Sequence, residues 1–194
     1  MNSFYSQEEL AQIGFAQLGE HVCISRKCSI YGAGGMRIGS HVRIDDFCIL
    51  SGRIEIGDFI HIAAYSAVYG GKEGVTIRDF ANISSRVCIY ALSDDYSGKS
   101  MTNPMVPDLF KQVDHGHVEI GRHCILGTCS TVLPHVVIEE GCAFGAYSFI
   151  RQDCKAWGIY AGIPCRRIRE RSRDLLALEQ AMLNASEQKK DLGG

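Results

Sequence analysis

Residues 38–68 read IGSHVRIDDFCILSGRIEIGDFIHIAAYSAV, and every sixth position of that run is aliphatic: Ile38, Ile44, Leu50, Ile56, Ile62 and Val68. A fixed period of this kind decides an architecture before local propensity does. Upstream the same step passes through Leu18, Ile24 and Ile30, with two extra residues before Ile38. Downstream, three extra residues within Gly70–Gly74 lead to Ile77, Ile83 and Ile89, and a long interruption then precedes Ile120, Leu126, Val132, Ile138, Phe144 and Ile150. Each interruption falls after the third hexapeptide of a group. The unit is therefore three hexapeptides, three short strands closing one triangular coil, with insertions leaving at a single corner of an all-β solenoid.

The other repeat positions agree. Glycine follows the aliphatic residue at Gly19, Gly39, Gly57, Gly121, Gly127 and Gly145, which reads as a row of tight corners. Four residues after the aliphatic position stand Val22, Cys28, Val42, Cys48, Ser66, Ala81, Val87, Cys124, Ser130, Val136, Cys142, Ser148 and Cys154, all small enough for a narrow interior. Five of the nine cysteines thus have a packing role as small hydrophobes. An odd number of cysteines without a C-x-x-C pair points away from a disulfide scaffold and from structural zinc.

Composition narrows the function classes. A formal charge of −2 offers no general attraction for nucleic acid, so any anion site must be local. Met1–Gly19 carries Glu8 and Glu9 and lacks the basic start and apolar stretch of a secretion signal, and no segment suggests insertion in a membrane. A soluble, cytoplasmic protein is expected.

From about Leu18 to Arg169 the chain resembles the hexapeptide-repeat acyltransferases. The stretch Tyr160-Ala161-Gly162-Ile163-Pro164-Cys165-Arg166-Arg167-Ile168-Arg169 is similar to the closing motif of galactoside and maltose acetyltransferases. Ile120–Thr128, Leu133-Pro134 and Gly145-Ala146 are similar to the coils of that family that line coenzyme A. The resemblance implies a left-handed parallel β-helix, a homotrimer, and acetyl-CoA as co-substrate between neighbouring subunits. Pantetheine needs close approach to backbone, which Gly127, Thr128, Gly145, Ala146, Gly162 and Pro164 would allow, and the nucleotide phosphates need cations, for which Arg166, Arg169 and Arg151 are candidates. Small residues and a solvated basic end would account for the same positions without a cofactor.

The interruption, about residues 91–117, is the candidate for substrate chemistry, because a long loop in a regular solenoid has no folding rationale of its own. Where the family's catalytic histidine normally stands, this chain has Asp94-Asp95. A solvated carboxylate is a weak base for a hydroxyl, yet it can hold an ammonium and relay its proton. An amino sugar, nucleotide-linked and destined for O-antigen or another surface polysaccharide, is the acceptor this favours, with Asp94 or Asp95 acting. The alternative is sugar O-acetylation with His115 as base. Tyr96, Asn103 and His61 are candidate substrate contacts, His61 as a corner residue near the groove. An oxyanion would be met by backbone amides near Gly127 or Gly145. A third reading, a zinc-dependent lyase resembling γ-class carbonic anhydrases, would need three converging histidines. His61, His115, His117 and His123 do not reproduce that spacing, and no metal is expected.

The termini read as additions to the body at 18–170. Ser6-Gln7-Glu8-Glu9 fits a capping box opening a short helix to about Gly14, within a segment 1–17. Leu175, Leu176, Leu178, Met182 and Leu183 form an apolar stripe at helical spacing within Ser172–Gln188, part of a C-terminal segment 171–194, and a frayed tail is expected after Ala185.

Overall fold

The computed structural model describes residues 3–191. It is a left-handed parallel β-helix whose three faces follow the three hexapeptide phases. On the first face Leu18 stacks on Ile38, Ile38 on Ile56, Ile56 on Ile77, and Ile77 on Ile120 and then Ile138. The second runs from Ile24 through Ile44, Ile62, Ile83, Leu126 and Phe144 to Tyr160. The third carries Ile30, Leu50, Val68, Ile89, Val132 and Ile150. Apart from Leu18 and Ile30 at the first coil, these repeat aliphatics are buried, and so is every small residue four positions on, the five interior cysteines included.

All three insertions leave between the third face and the first. The turn Ala33–Gly35 follows the strand Ser29–Tyr31, and the strands Ile49–Ile56 and Ala67–Ile77 run continuously across that corner. The largest insertion, after the strand Cys88–Tyr90, folds back as an antiparallel pair, Leu92–Asp94 against Val113–His115.

The corners themselves differ from the sequence expectation. None of Gly19, Gly39, Gly57, Gly121, Gly127 or Gly145 has positive φ; the left-handed residues stand two positions later, at His21, His41, Phe59, Phe80 and His123 on one edge and Phe47, Tyr65, Arg86, Cys129 and Tyr147 on another. The glycines are required by proximity. A Cβ on Gly39 would lie 2.6 Å from the carbonyl oxygen of Gly57, and one on Gly127 would lie 2.6 Å from the amide of Ala146. The strained residues are compensated by stacking, with His21, His41, Phe59, Phe80 and His123 forming one column at centroid spacings of 4.6–5.0 Å.

Both ends of the coil stack are closed. Helix α1 (Gln7–Ile13) has the expected capping box, with Ser6 Oγ accepting from Glu9 N and Glu9 accepting from Ser6 N, and it ends at left-handed Gly14. Its Leu10 is wholly buried over the first coil. At the other end the strand Arg166–Glu170 returns antiparallel against Gly158–Ala161. Helix α2 (Leu175–Asp191) extends past the expected limit; the side chains beyond Ala185, and with them the expected fraying, lie outside the described residues. Among the described residues no helix is long and apolar enough to cross a membrane.

Candidate active site

The 91–117 insertion arches over the outward row of the third face and encloses a cleft of about 570 Å³. Its floor is Tyr69, Tyr90 and Leu133, successive coils of one row, with the two tyrosine rings stacked at 5.1 Å. Burial, with Cys88 beside it, pushes the Tyr90 phenol up to about 12, so it stays protonated as a donor. The loop contributes Asp94, Tyr96, Asn103 and Lys111 to the walls. Thus Asp94, Tyr96 and Asn103, singled out separately in the sequence, stand together.

The two aspartates have different surroundings. Asp95 accepts from Ser97 N at 2.8 Å, Ser100 N at 3.0 Å and Ser100 Oγ at 2.8 Å, and these bonds hold its carboxyl down at about 2. It is committed to tying the loop. The Asp94 carboxylate has no hydrogen-bond partner among the described residues, and it faces both the cleft and an adjoining recess that Asp95 and Asp114 share.

Among the described residues no histidine lines the cleft. His115 is paired with Leu92 across the loop ribbon, and its Nδ1 is buried against Gly71 without a partner. His117 Nδ1 is bonded to the Glu73 carbonyl at 3.1 Å. His61 lies on the strand His61–Ile62 of the second face, not at a corner, and is bonded to Asp45 at 2.8 Å. His123 is bonded to Glu179 of α2 at 2.7 Å. The four imidazoles stand at different places on the coil stack, and no group of three or more metal-ligating side chains converges among the described residues. Sequence reading missed His135, which pairs with Asp114 beside the recess at 2.8 Å, and Lys111, whose burial in the cleft nothing in the local sequence signals.

The corner between the second and third faces carries the other group of candidate residues. Ser85, Thr128, Ala146 and Gly162 form one column along it: Cys129 N donates to the Ser85 carbonyl, Tyr147 N to that of Thr128, and Phe149 N to that of Gly162. Thr128 Oγ1 is held by the Ser85 carbonyl at 2.6 Å. The amides of Gly127 and Gly145 are spent on the carbonyls of Phe144 and Tyr160. Those of Thr128 and Ala146 have no acceptor among the described residues. The column ends at the cis peptide Ile163–Pro164 and the hairpin bearing Arg166 and Arg169, both exposed. Arg151 is exposed one coil beyond Leu133. The third face is therefore bounded by a backbone-lined corner on one side and an acidic loop on the other.

No family model matches the chain. It is 48% identical over 180 residues, 91% of its own length and 93% of the relative's, to a dTDP-4-amino-4,6-dideoxy-D-glucose acyltransferase of Escherichia coli. It is 26% identical over 169 residues, 79% of its length and 81% of the relative's, to WbbJ of E. coli K12, named for lipopolysaccharide biosynthesis O-acetyl transfer. Among solved structures it resembles AntD, an N-acyltransferase from Bacillus cereus, in its complex with dTDP and 3-hydroxybutyryl-CoA: TM-score 0.94, 50% identity, covering 96% of this chain and all of AntD. Other AntD structures carry single replacements of an aspartate or a serine, two of them with dTDP-4-amino-4,6-dideoxyglucose and coenzyme A bound. With its coil stack, its coenzyme-like closing motif and these relatives in agreement, the chain belongs to the hexapeptide-repeat sugar acyltransferases, enzymes that move an acyl group from an acyl-CoA to a sugar.

Proposed function

We propose that this enzyme acylates the 4-amino group of a dTDP-linked 4-amino-4,6-dideoxyglucose, with Asp94 as the residue that engages the amine. The observation that carries this is the pairing of an unpartnered Asp94 carboxylate with a cleft that no histidine lines. An amine arrives largely as its ammonium. Asp94 accepts a hydrogen bond from it, orients it and takes or relays a proton, leaving a neutral nitrogen that is nucleophilic without a strong base. The nitrogen attacks the thioester carbonyl, the oxyanion meets a backbone donor such as the amide of Thr128 or Ala146, and as the C–S bond breaks the surplus proton on nitrogen passes to the departing sulfur of coenzyme A. A hydroxyl acceptor would need an imidazole that the cleft does not present. The names of the E. coli relative and of the AntD complexes support the same acceptor.

Residues 18–170 are the catalytic body in this reading, 1–17 and 171–194 being additions. The coenzyme runs along the Thr128, Ala146 and Gly162 column to Pro164, with Arg151, Arg166 and Arg169 toward its phosphates; Tyr96 and Asn103 contact the sugar. Met105 and Leu109 on the loop and Leu178 on α2 are 90%, 87% and 71% exposed, which supports a homotrimer that covers them. Substrates of the class of nucleotide sugars and acyl-CoA support a cytoplasmic location, and WbbJ's name supports a role in surface polysaccharide assembly.

The test is thiol release from acetyl-CoA and 3-hydroxybutyryl-CoA with dTDP-4-amino-4,6-dideoxyglucose and its 4-hydroxy counterpart. Turnover confined to the amine, reduced about a hundredfold or more in Asp94→Asn and retained in His115→Ala, is expected. Turnover of the 4-hydroxy sugar that depends on His115 would overturn the reading.

A further inference from the structure

Among the described residues Lys111 is the one cation lining the cleft, and it is held in an unusual way. Its side chain is only 11% exposed, although its ion-pair partner, Asp108 Oδ1 at 3.0 Å, stands fully in solvent. A pair with so exposed a carboxylate contributes little, whereas withdrawing most of a lysine side chain and its ammonium from water is unfavourable. The fold therefore maintains a poorly compensated positive charge facing an open cleft, an arrangement suited to an anion supplied from outside.

The position of that charge relative to Asp94 identifies the anion. Asp94 is the cross-strand partner of Val113, and Lys111 lies two residues before Val113 along the same extended segment. Two residues of extended chain span ~7 Å and bring side chains back to the same side. The cleft is thus bipolar, with the Asp94 carboxylate at one end and Lys111 farther along. A 4-amino sugar nucleotide has the matching polarity, an ammonium on C4 and, across the pyranose ring, a diphosphate on C1.

We propose that Lys111 binds the diphosphate of the acceptor and, opposed to Asp94, selects nucleotide-linked amino sugars over free ones. This rests on the acceptor assigned under the proposed function. The two charges fix both ends of the sugar, so that its amine can be presented toward the coenzyme corner in only one sense.

The experiment is calorimetric titration of dTDP, which carries the diphosphate but no amine, into the parent, Lys111→Met, Lys111→Arg, Asp108→Asn and Asp94→Asn, with thermal melts of each. Lys111→Met is expected to weaken dTDP binding about tenfold or more; Lys111→Arg, Asp108→Asn and Asp94→Asn are expected to retain it. In turnover, Lys111→Met raises KM for the sugar nucleotide and leaves KM for the acyl-CoA unchanged. Equal affinity of parent and Lys111→Met for dTDP overturns the assignment, as does loss of binding in Asp108→Asn, which would make the ion pair a structural brace. A parent that binds no dTDP at all overturns the nucleotide-sugar acceptor itself, a separate result.

Discussion

Asp94 and Asp95 are adjacent and chemically identical, yet the fold gives them different surroundings. Three donors from Ser97 and Ser100 stabilise the ionised form of Asp95 and depress its pKa to about 2. In the unfolded chain the same carboxyl titrates near ~3.9. The stabilisation is therefore complete above that value and disappears as pH falls through about 2. The protection factors of the Ser97 and Ser100 amides should hold from pH 7 down to about 4 and drop below it, and Asp95→Asn should show the lowered protection at neutral pH; identical protection in parent and variant would remove Asp95 from this role. The sequence indicates an acidic turn at this place but not the division of labour. That division depends on where Ser97 and Ser100 turn back and on a cleft floor supplied by Tyr69 and Tyr90, residues that only the coil stacking brings under the loop.

At the level of the strands and corners, the hexapeptide period was readable because each coil solves the same packing problem: one aliphatic residue per face and one small residue per corner, all inside. The role of the glycines was not readable, since the sequence shows where a small residue recurs but not whether torsion or proximity demands it. Gly39 distinguishes these. Its φ is not left-handed, so alanine meets no torsional penalty there, but the new Cβ would lie 2.4 Å from Asp58 Oδ1 and 2.6 Å from the Gly57 carbonyl. Gly39→Ala should destabilise the protein by ~1–3 kcal/mol through overpacking. In a chain of this size that is a fall in Tm of about 2–4 °C per kcal/mol. An unchanged Tm in a thermal melt would show that neighbouring coils slide apart at little cost. The capping box of α1 was legible for the opposite reason, being entirely local: Ser6, Glu9 and Gly14 carry the helix signal within nine residues.

For the molecule as a whole, α2 is fastened to the β-helix through Glu179, which meets His123 Nε2 at 2.7 Å and also the Arg122 guanidinium. Burial, reinforced by the adjacent Arg122, keeps the pKa of His123 below the ordinary 6.5. The folded imidazole is therefore neutral and donates its Nε2 proton to Glu179. The unfolded chain takes up a proton near 6.5 that the folded one refuses, so this contribution is full above that pH and declines on acidification. Protection of α2 from exchange should be weaker at pH 5.5 than at 7.5. A rise in protection instead would mean that the histidine docks as its cation.

The closed ends of the stack have a consequence of another kind. A parallel coil stack is an open-ended template: the last strand of each face offers the next the same unpaired amides and carbonyls that it received. Here α1 with its buried Leu10 lies over one end, and the antiparallel return of Arg166–Glu170 occupies the other in a direction no further parallel coil can match. Without those two stoppers each molecule would be a seed, and the regularity that makes the solenoid easy to build would favour fibres over discrete enzymes.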